Sequence, residues 1–222
     1  MAIAFEATTT AGGSGTTASP SWPTTTSGHV CVAHIHWNGP PGSVTNSDFT
    51  FQLSNREYNG PSAQVDIAYR VLDGTETGST SFSSDSNRYQ VDLITFSGVD
   101  NSSVYDVVPS ASSENTGSGS TNTTNSLTTI TNGAMMIALA VNDSNTVSFT
   151  GTPSGWNVAQ NNSGNQLLSS VYLSKATAGL QGAISWTQSS SNGTWLNNIY
   201  ALKPAAAATG IASQRLVIGV GI

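Results

Sequence analysis

Apolar residues come in short bursts along this chain, at 2–10, 29–37, 48–54, 63–72, 79–83 and 89–97. They recur at 126–131, 134–142, 145–150, 156–160, 166–174, 181–187 and 195–203. Clusters of Gly, Pro, Asn and Asp, such as Asn38-Gly39-Pro40-Pro41-Gly42 and Asp73-Gly74, separate the bursts. This pattern predicts strands joined by turns. Helical periodicity is not sustained anywhere: 176–182 and 205–209 are too short or too Gly-flanked to hold a helix unaided. Many short strands divided by turn signals indicate a sandwich or a barrel.

The bursts repeat. Gly28-His29-Val30-Cys31-Val32-Ala33-His34-Ile35 matches Gly133-Ala134-Met135-Met136-Ile137-Ala138-Leu139-Ala140, and the aromatics that follow keep similar spacing. Tyr69 to Phe82 spans 13 residues and Tyr172 to Trp186 spans 14; Phe82 to Phe96 and Trp186 to Tyr200 both span 14. A half of about 70 residues holds only four or five strands, and one such sheet leaves an apolar face uncovered. The expected fold is therefore all-β: one antiparallel, jelly-roll-like β-sandwich over residues 1–204, closed by pseudo-repeats at 24–100 and 127–204. The Ser/Thr/Asn/Gly-rich stretch 110–125 reads as a crossing connection or a mobile loop. After Lys203-Pro204 an alanine/glycine hinge leads into a β-prone apolar end, residues 205–222. That end is either a last strand of the same sheet or an arm that adds a strand to a neighbouring subunit. Ile211, Leu216, Val217, Ile218, Val220 and Ile222 are its candidate contact residues.

Composition narrows the function classes. Six basic and twelve acidic residues make 8 % of the 222 positions, against roughly 25 % in an average soluble protein. The net charge of −6 and the scattering of Arg56, Arg70, Arg88, Lys175, Lys203 and Arg215 argue against nucleic acid as a partner. The longest apolar run, 134–141, is far short of the ~18 residues a spanning helix needs, so membrane insertion is not expected. Cys31 is the only cysteine, which excludes an intrachain disulfide. Met1-Ala2-Ile3-Ala4-Phe5-Glu6-Ala7 has no basic stretch and does not read as a signal peptide. The sequons at Asn101, Asn122, Asn142, Asn161 and Asn192 then read as by-products of Asn/Ser/Thr-rich loops.

Candidate chemistry is sparse. His34 and His36 face the same way on a strand, so both imidazoles could reach one metal ion, with Asp66 or Asp92 as third ligand. The equivalent positions of the second copy are Leu139 and Val141. A surface or partly buried polar pair is the plainer reading, and no cofactor is expected. No nucleophile elbow is present, Cys31 sits in an apolar strand where a thiol is inert, and no spacing singles out a carboxylate pair suited to glycoside hydrolysis. An enzyme is not expected. Trp156 and Trp186 read as core. Trp22, Trp37 and Trp195 lie at strand ends, where indoles either stack on sugar rings or seal the sandwich.

Several strings together resemble a known group. Thr26-Ser27-Gly28-His29-Val30-Cys31, Tyr69-Arg70-Val71, Phe96-Ser97-Gly98-Val99-Asp100, Asn132-Gly133-Ala134-Met135, Pro153-Ser154-Gly155-Trp156, Tyr172-Leu173-Ser174-Lys175 and Ala201-Leu202-Lys203-Pro204 resemble β-sandwich domains of bacteriophage virion proteins, over residues 24–204. That group often carries Pro-X-Gly-Trp in both halves; here the first half has Asp48-Phe49-Thr50-Phe51 instead. Ile211-Ala212-Ser213-Gln214-Arg215 resembles the start of a tail repeat that follows such domains. The resemblance implies a non-enzymatic virion component made in the host cytoplasm. Its most direct form is a capsid decoration (cement) protein, present as a homo-oligomer in contact with major capsid or tail proteins. The alternative is a tail-fibre or receptor-binding module whose partner is a host-surface glycan.

Overall fold

The structure, a computed structural model, describes residues 1–23, 25–39, 42–59, 63–85, 88–144, 146–162 and 166–207. The tail residues Ile211, Leu216, Val217, Ile218, Val220 and Ile222 lie outside these. Two antiparallel sheets face each other. The first contains β1 (Ala4–Ser14), β2 (Val30–Asn38), β3 (Thr50–Glu57), β4 (Ala63–Val71) and β5 (Arg88–Ser97), in the order β1-β5-β2-β4-β3. The second contains β6 (Glu114–Ser118), β7 (Ala134–Asn142), β8 (Asn157–Asn162), β9 (Leu167–Lys175) and β10 (Thr194–Leu202). Its order is β8-β9-β7-β10, with β6 and the short strand Tyr105–Val107 both on the far side of β10. Each half of the chain builds one sheet, and each strand of the first has its counterpart five strands later.

Burial explains the apolar runs of the central strands. Val30, Val32, Val65, Ile67 and Ile94 of the first sheet share one core with Met135, Ile137, Leu139, Val141, Leu168 and Tyr200 of the second. The opposite faces are covered as well. Cys31, Ala33, Ile35 and Trp37 pack under Ala18, Val44, Phe49 and Phe82, and Met136, Ala138 and Ala140 pack under Val147, Phe149, Ile184 and Trp186. With both faces covered, β2 and β7 cannot alternate apolar with polar. Short paired strands supply the outer covers: Thr17–Ala18 with Phe82–Ser83, and Thr121–Thr123 with Ser185–Gln188.

Register fixes the repeat residue by residue. Gly28 and Gly133 both have positive φ, 83° and 80°, and their amides donate to Leu72 O and Lys175 O at 2.9 Å. From these anchors, Tyr69 matches Tyr172, opposite Val32 and Ile137. Phe82 matches Trp186, opposite Ala18 and Asn122. The third match suggested by spacing is corrected. Val30 pairs with Phe96 but Met135 pairs with Leu202, so Phe96 matches Leu202 and Tyr200 matches Ile94. A connection two residues longer before β10 produced the equal spacing, and a two-residue shift keeps a side chain on the same face.

Residues 110–125 do not form a loop. They hold a single 3-10 turn, Ala111–Ser113, then β6, then Thr121–Thr123. β6 pairs along β10 from Thr194↔Ser118 to Asn198↔Glu114, as β1 pairs along β5. The duplicated unit therefore includes an edge strand in each copy, 4–14 and 114–118, and reaches further toward the N-terminus than 24 and 127.

An approximate two-fold axis relates the sheets. At one side β1 lies over β9, with Phe5 stacked on Tyr172 at 4.8 Å. At the other, Tyr105 meets Tyr69 edge-on at 5.4 Å, and Arg56 of β3 grips Glu114 of β6 through bonds of 2.7–3.0 Å. Near the axis Val99 bridges Pro204, and Ala205 N–H donates to Gly98 O at 2.8 Å. Because the inner core is common property, the two halves are expected to unfold in urea as one transition, and Ile137→Ala is expected to cost about 2–5 kcal/mol. Fluorescence and far-ultraviolet dichroism should give coincident curves; two separated transitions would show that each half is stable alone.

Candidate functional site

Three of the polar residues singled out by sequence, His34, His36 and Asp92, lie on the inner face of the first sheet, in the shared core. His34 and His36 occupy successive inward positions of β2, both fully buried. The Nδ1 of His34 lies 2.8 Å from Ser170 Oγ, and its Nε2 lies 2.6 Å from the Tyr200 hydroxyl. Ser170 donates to Asp92 Oδ2 at 2.9 Å. Asp92 Oδ1 accepts from Thr10 at 2.9 Å and from Asn162 Nδ2 at 2.6 Å. Since the Ser170 proton points to Asp92, His34 carries its hydrogen on Nδ1 and donates to Ser170, while Nε2 accepts from Tyr200. His36 has the same tautomer: Nδ1 donates to Leu167 O at 3.1 Å and Nε2 accepts from Tyr58 at 2.6 Å.

Burial sets the charge states. Desolvation pushes both imidazoles down to about 3, so they are neutral. It pushes the Asp92 carboxyl up to about 7 against the pull of the donors from Ser170, Thr10 and Asn162. Asp66 sits on the other face of β4, between the inward Val65 and Ile67. There it accepts from the Asn55 amide at 2.8 Å and from Gln64 at 3.0 Å, and burial raises it to about 6. Asn55 offers that amide from a left-handed backbone, φ 53°, a conformation Asn tolerates better than most residues. It falls in a bulge of β3 between Leu53 and Arg56.

This arrangement is built for cohesion. Every nitrogen of His34 and His36 already has a hydrogen-bond partner, which leaves no lone pair for a metal, and Asp66 faces away from both. Among the described residues no three His, Cys, Asp or Glu side chains are grouped to hold an ion. The order Asp92–Ser170–His34 also differs from a nucleophilic triad, where the imidazole must accept the serine proton. Here the carboxylate takes it, at full burial. Cys31 is buried, and desolvation raises its thiol far above the ordinary range.

The three strand-end indoles do not form a surface platform. Trp37 is fully buried and leans on Tyr89 at 5.1 Å. Trp195 is 6 % exposed and lies over Gly117, where a β-carbon would sit 2.6 Å from the indole. Trp22 is half-buried, stacked on Phe49 at 5.6 Å with the Arg70 guanidinium 5.3 Å from its ring centre. A strand-end position does not tell which face a side chain takes; Trp37 belongs to the outward row with Cys31, Ala33 and Ile35. Trp186 is core and donates to Ser169 at 3.1 Å. On the surface, a shallow depression of about 430 Å³ is lined by Thr16, Thr17, Thr45, Ser83, Ser84 and Asp85. It holds one carboxylate and no base. Sequence reasoning missed Ser170, Tyr200, Tyr58 and Asn162; the one available signal was Ser169-Ser170 inside an otherwise apolar strand.

No family model matches the chain, and no curated protein or solved structure matches it either.

The buried pairs oppose each other as pH changes. Unfolded histidines take protons below 6.5 while the folded ones wait until about 3, so acidification through that range destabilises. Folded Asp66 and Asp92 hold protons up to about 6 and 7, against 3.8 ordinarily, so acidification from pH 7 to 4 stabilises through them. The urea midpoint is therefore expected to change little between pH 4 and 6 and to fall below pH 4. In the double variant Asp66→Asn/Asp92→Asn the histidines act alone, and stability should fall by roughly 2–3 kcal/mol per pH unit below 6. A variant as flat as the parent would contradict neutral buried imidazoles.

Proposed function

We propose that this chain is a non-enzymatic structural component of a bacteriophage particle, an exterior capsid decoration protein acting through contacts between subunits. The observation that carries this reading is where the reactive groups lie. The histidines, Asp92, Tyr58, Tyr200 and the cysteine are buried, and hydrogen bonds between the sheets occupy the histidines and Asp92. The chemistry of the molecule is thus spent on holding two sheets together, and the surface is hydroxyl- and amide-rich with little charge. Such a surface suits packing by shape against neighbours. The resemblance of residues 24–204 to virion β-sandwich domains supports the same reading, as does the apolar sequence after the hinge. The sugar-binding alternative loses two of its three indoles to the interior.

The test is location. Mass spectrometry of gradient-purified particles is expected to find the chain in fixed stoichiometry with the major capsid protein, and particles lacking it should lose their contents at lower temperature. A chain found in infected-cell lysate but absent from purified particles would overturn the proposal.

A further inference from the structure

The two copies treat their edge strands differently, and the difference points to an assembly contact. β6 is 5 residues long and closed off: Asn125 Nδ2 donates to Glu114 O at 2.6 Å and to Ser112 O at 3.3 Å. Its counterpart β1 is 11 residues long, and every residue in it keeps some solvent exposure. Among the described residues β1 is the last strand of its sheet and pairs with β5 alone. Its single bulge, at Glu6, ends before Ala7. Residues 7–14 then run Ala-Thr-Thr-Thr-Ala-Gly-Gly-Ser, without a charge, a proline or a further bulge. Those are the features by which edges are normally blunted, and the other edges have them. β3 carries two bulges together with Arg56 and Glu57, and β8 carries a bulge between Val158 and Gln160.

We infer that the free edge of β1 is a strand-addition site, and that its occupant is residues 211–222 of a second copy of this chain. That segment is Ile-Ala-Ser-Gln-Arg-Leu-Val-Ile-Gly-Val-Gly-Ile, with one charge and no proline, a sequence suited to pairing through its backbone. Twelve residues extend about 40 Å and residues 7–14 need about 26 Å, at ~3.3 Å per residue. The exit point decides whose arm it is. Ala205 is held beside the start of β1, its amide on Gly98 O and its carbonyl accepting from the Met1 amine at 2.8 Å. From there the next six residues span at most about 20 Å, short of the far end of β1. A chain's own 211–222 laid full length along 7–14 therefore runs parallel to it, whereas every sheet pairing among the described residues is antiparallel. A two-fold neighbour supplies the arm antiparallel, and the exchange is reciprocal and closed. The assignment deepens the structural-component reading by naming its contact. It is tested on purified chain without particles, so either can fail alone.

The experiment compares the full chain with residues 1–207, by light scattering for mass and by hydrogen exchange for the amides of 7–14. The full chain is expected to be a multimer and 1–207 a monomer, with those amides exchanging about tenfold or more slowly in the full chain. Val217→Pro/Ile218→Pro in the intact chain removes two adjacent amides, one of which must face β1 in either register; it should also be monomeric. A monomeric full chain overturns the inference, and slowed β1 amides in that monomer would assign the edge to its own arm. A multimer whose amides at 7–14 exchange as in 1–207, or a double-proline variant that stays multimeric, overturns it too.

Discussion

Neither half of this chain can cover the inner face of its own sheet, and the rest of the structure follows from that constraint. Each half covers its outer face with its own short strands, under Phe82 in one copy and Trp186 in the other. The inner rows, Val30, Val32 and Ile94 against Ile137, Leu139 and Leu196, have only each other. At about 25 cal/mol per Å² of buried apolar area, a face of this kind left in water would outweigh the marginal stability of a small sheet. The duplication is therefore a way of making one core, and it forces the polar residues on the inner rows to find partners across the gap.

Those partners show how the copies have diverged. Under the register, His34 corresponds to Leu139, Ile67 to Ser170 and Ile94 to Tyr200. The approximate axis sets His34 against Ser170 and Tyr200, and its counterpart Leu139 belongs to the same core as Ile67 and Ile94. At these three positions polar meets polar on one side of the axis and apolar meets apolar on the other, while Asp92 corresponds to another buried polar residue, Asn198. The histidine pair, isolated in the sequence, is thus half of a compensated exchange whose other half lies more than a hundred residues away.

That distance separates what can be read from sequence from what cannot. The sheets are legible because burial on two faces leaves continuous runs such as Val30-Cys31-Val32-Ala33 and Met135-Met136-Ile137-Ala138, and because glycines at positive φ mark the same turn twice. β6 is illegible because Glu114-Asn115-Thr116-Gly117-Ser118 has the composition of a linker; Gly117 is there to let the Trp195 ring lie over the strand. The indoles mislead because alternation gives a side chain's parity but not which face carries a cover. The partners of His34 cannot be found from periodicity at all, since nothing local in Ser170 or Tyr200 announces a contact with residue 34.

The buried network does more than fill space. Two sheets with the same strand order and similar apolar inner faces have an alternative to pairing with each other: two first sheets, from two chains, could meet instead. That pairing would set His34 against Ile67 and Ile94 and leave both its nitrogens and the Oδ2 of Asp92 without the partners that Ser170 and Tyr200 now supply. Each buried polar group stranded in this way costs about 1–3 kcal/mol, several times over for a network with this many members. The correct pairing satisfies both nitrogens of each histidine and the oxygens of Asp92. A wholly apolar interface of equal area would hold the sheets as firmly but would not discriminate between partners, which is the role best attested for polar groups buried in an interface.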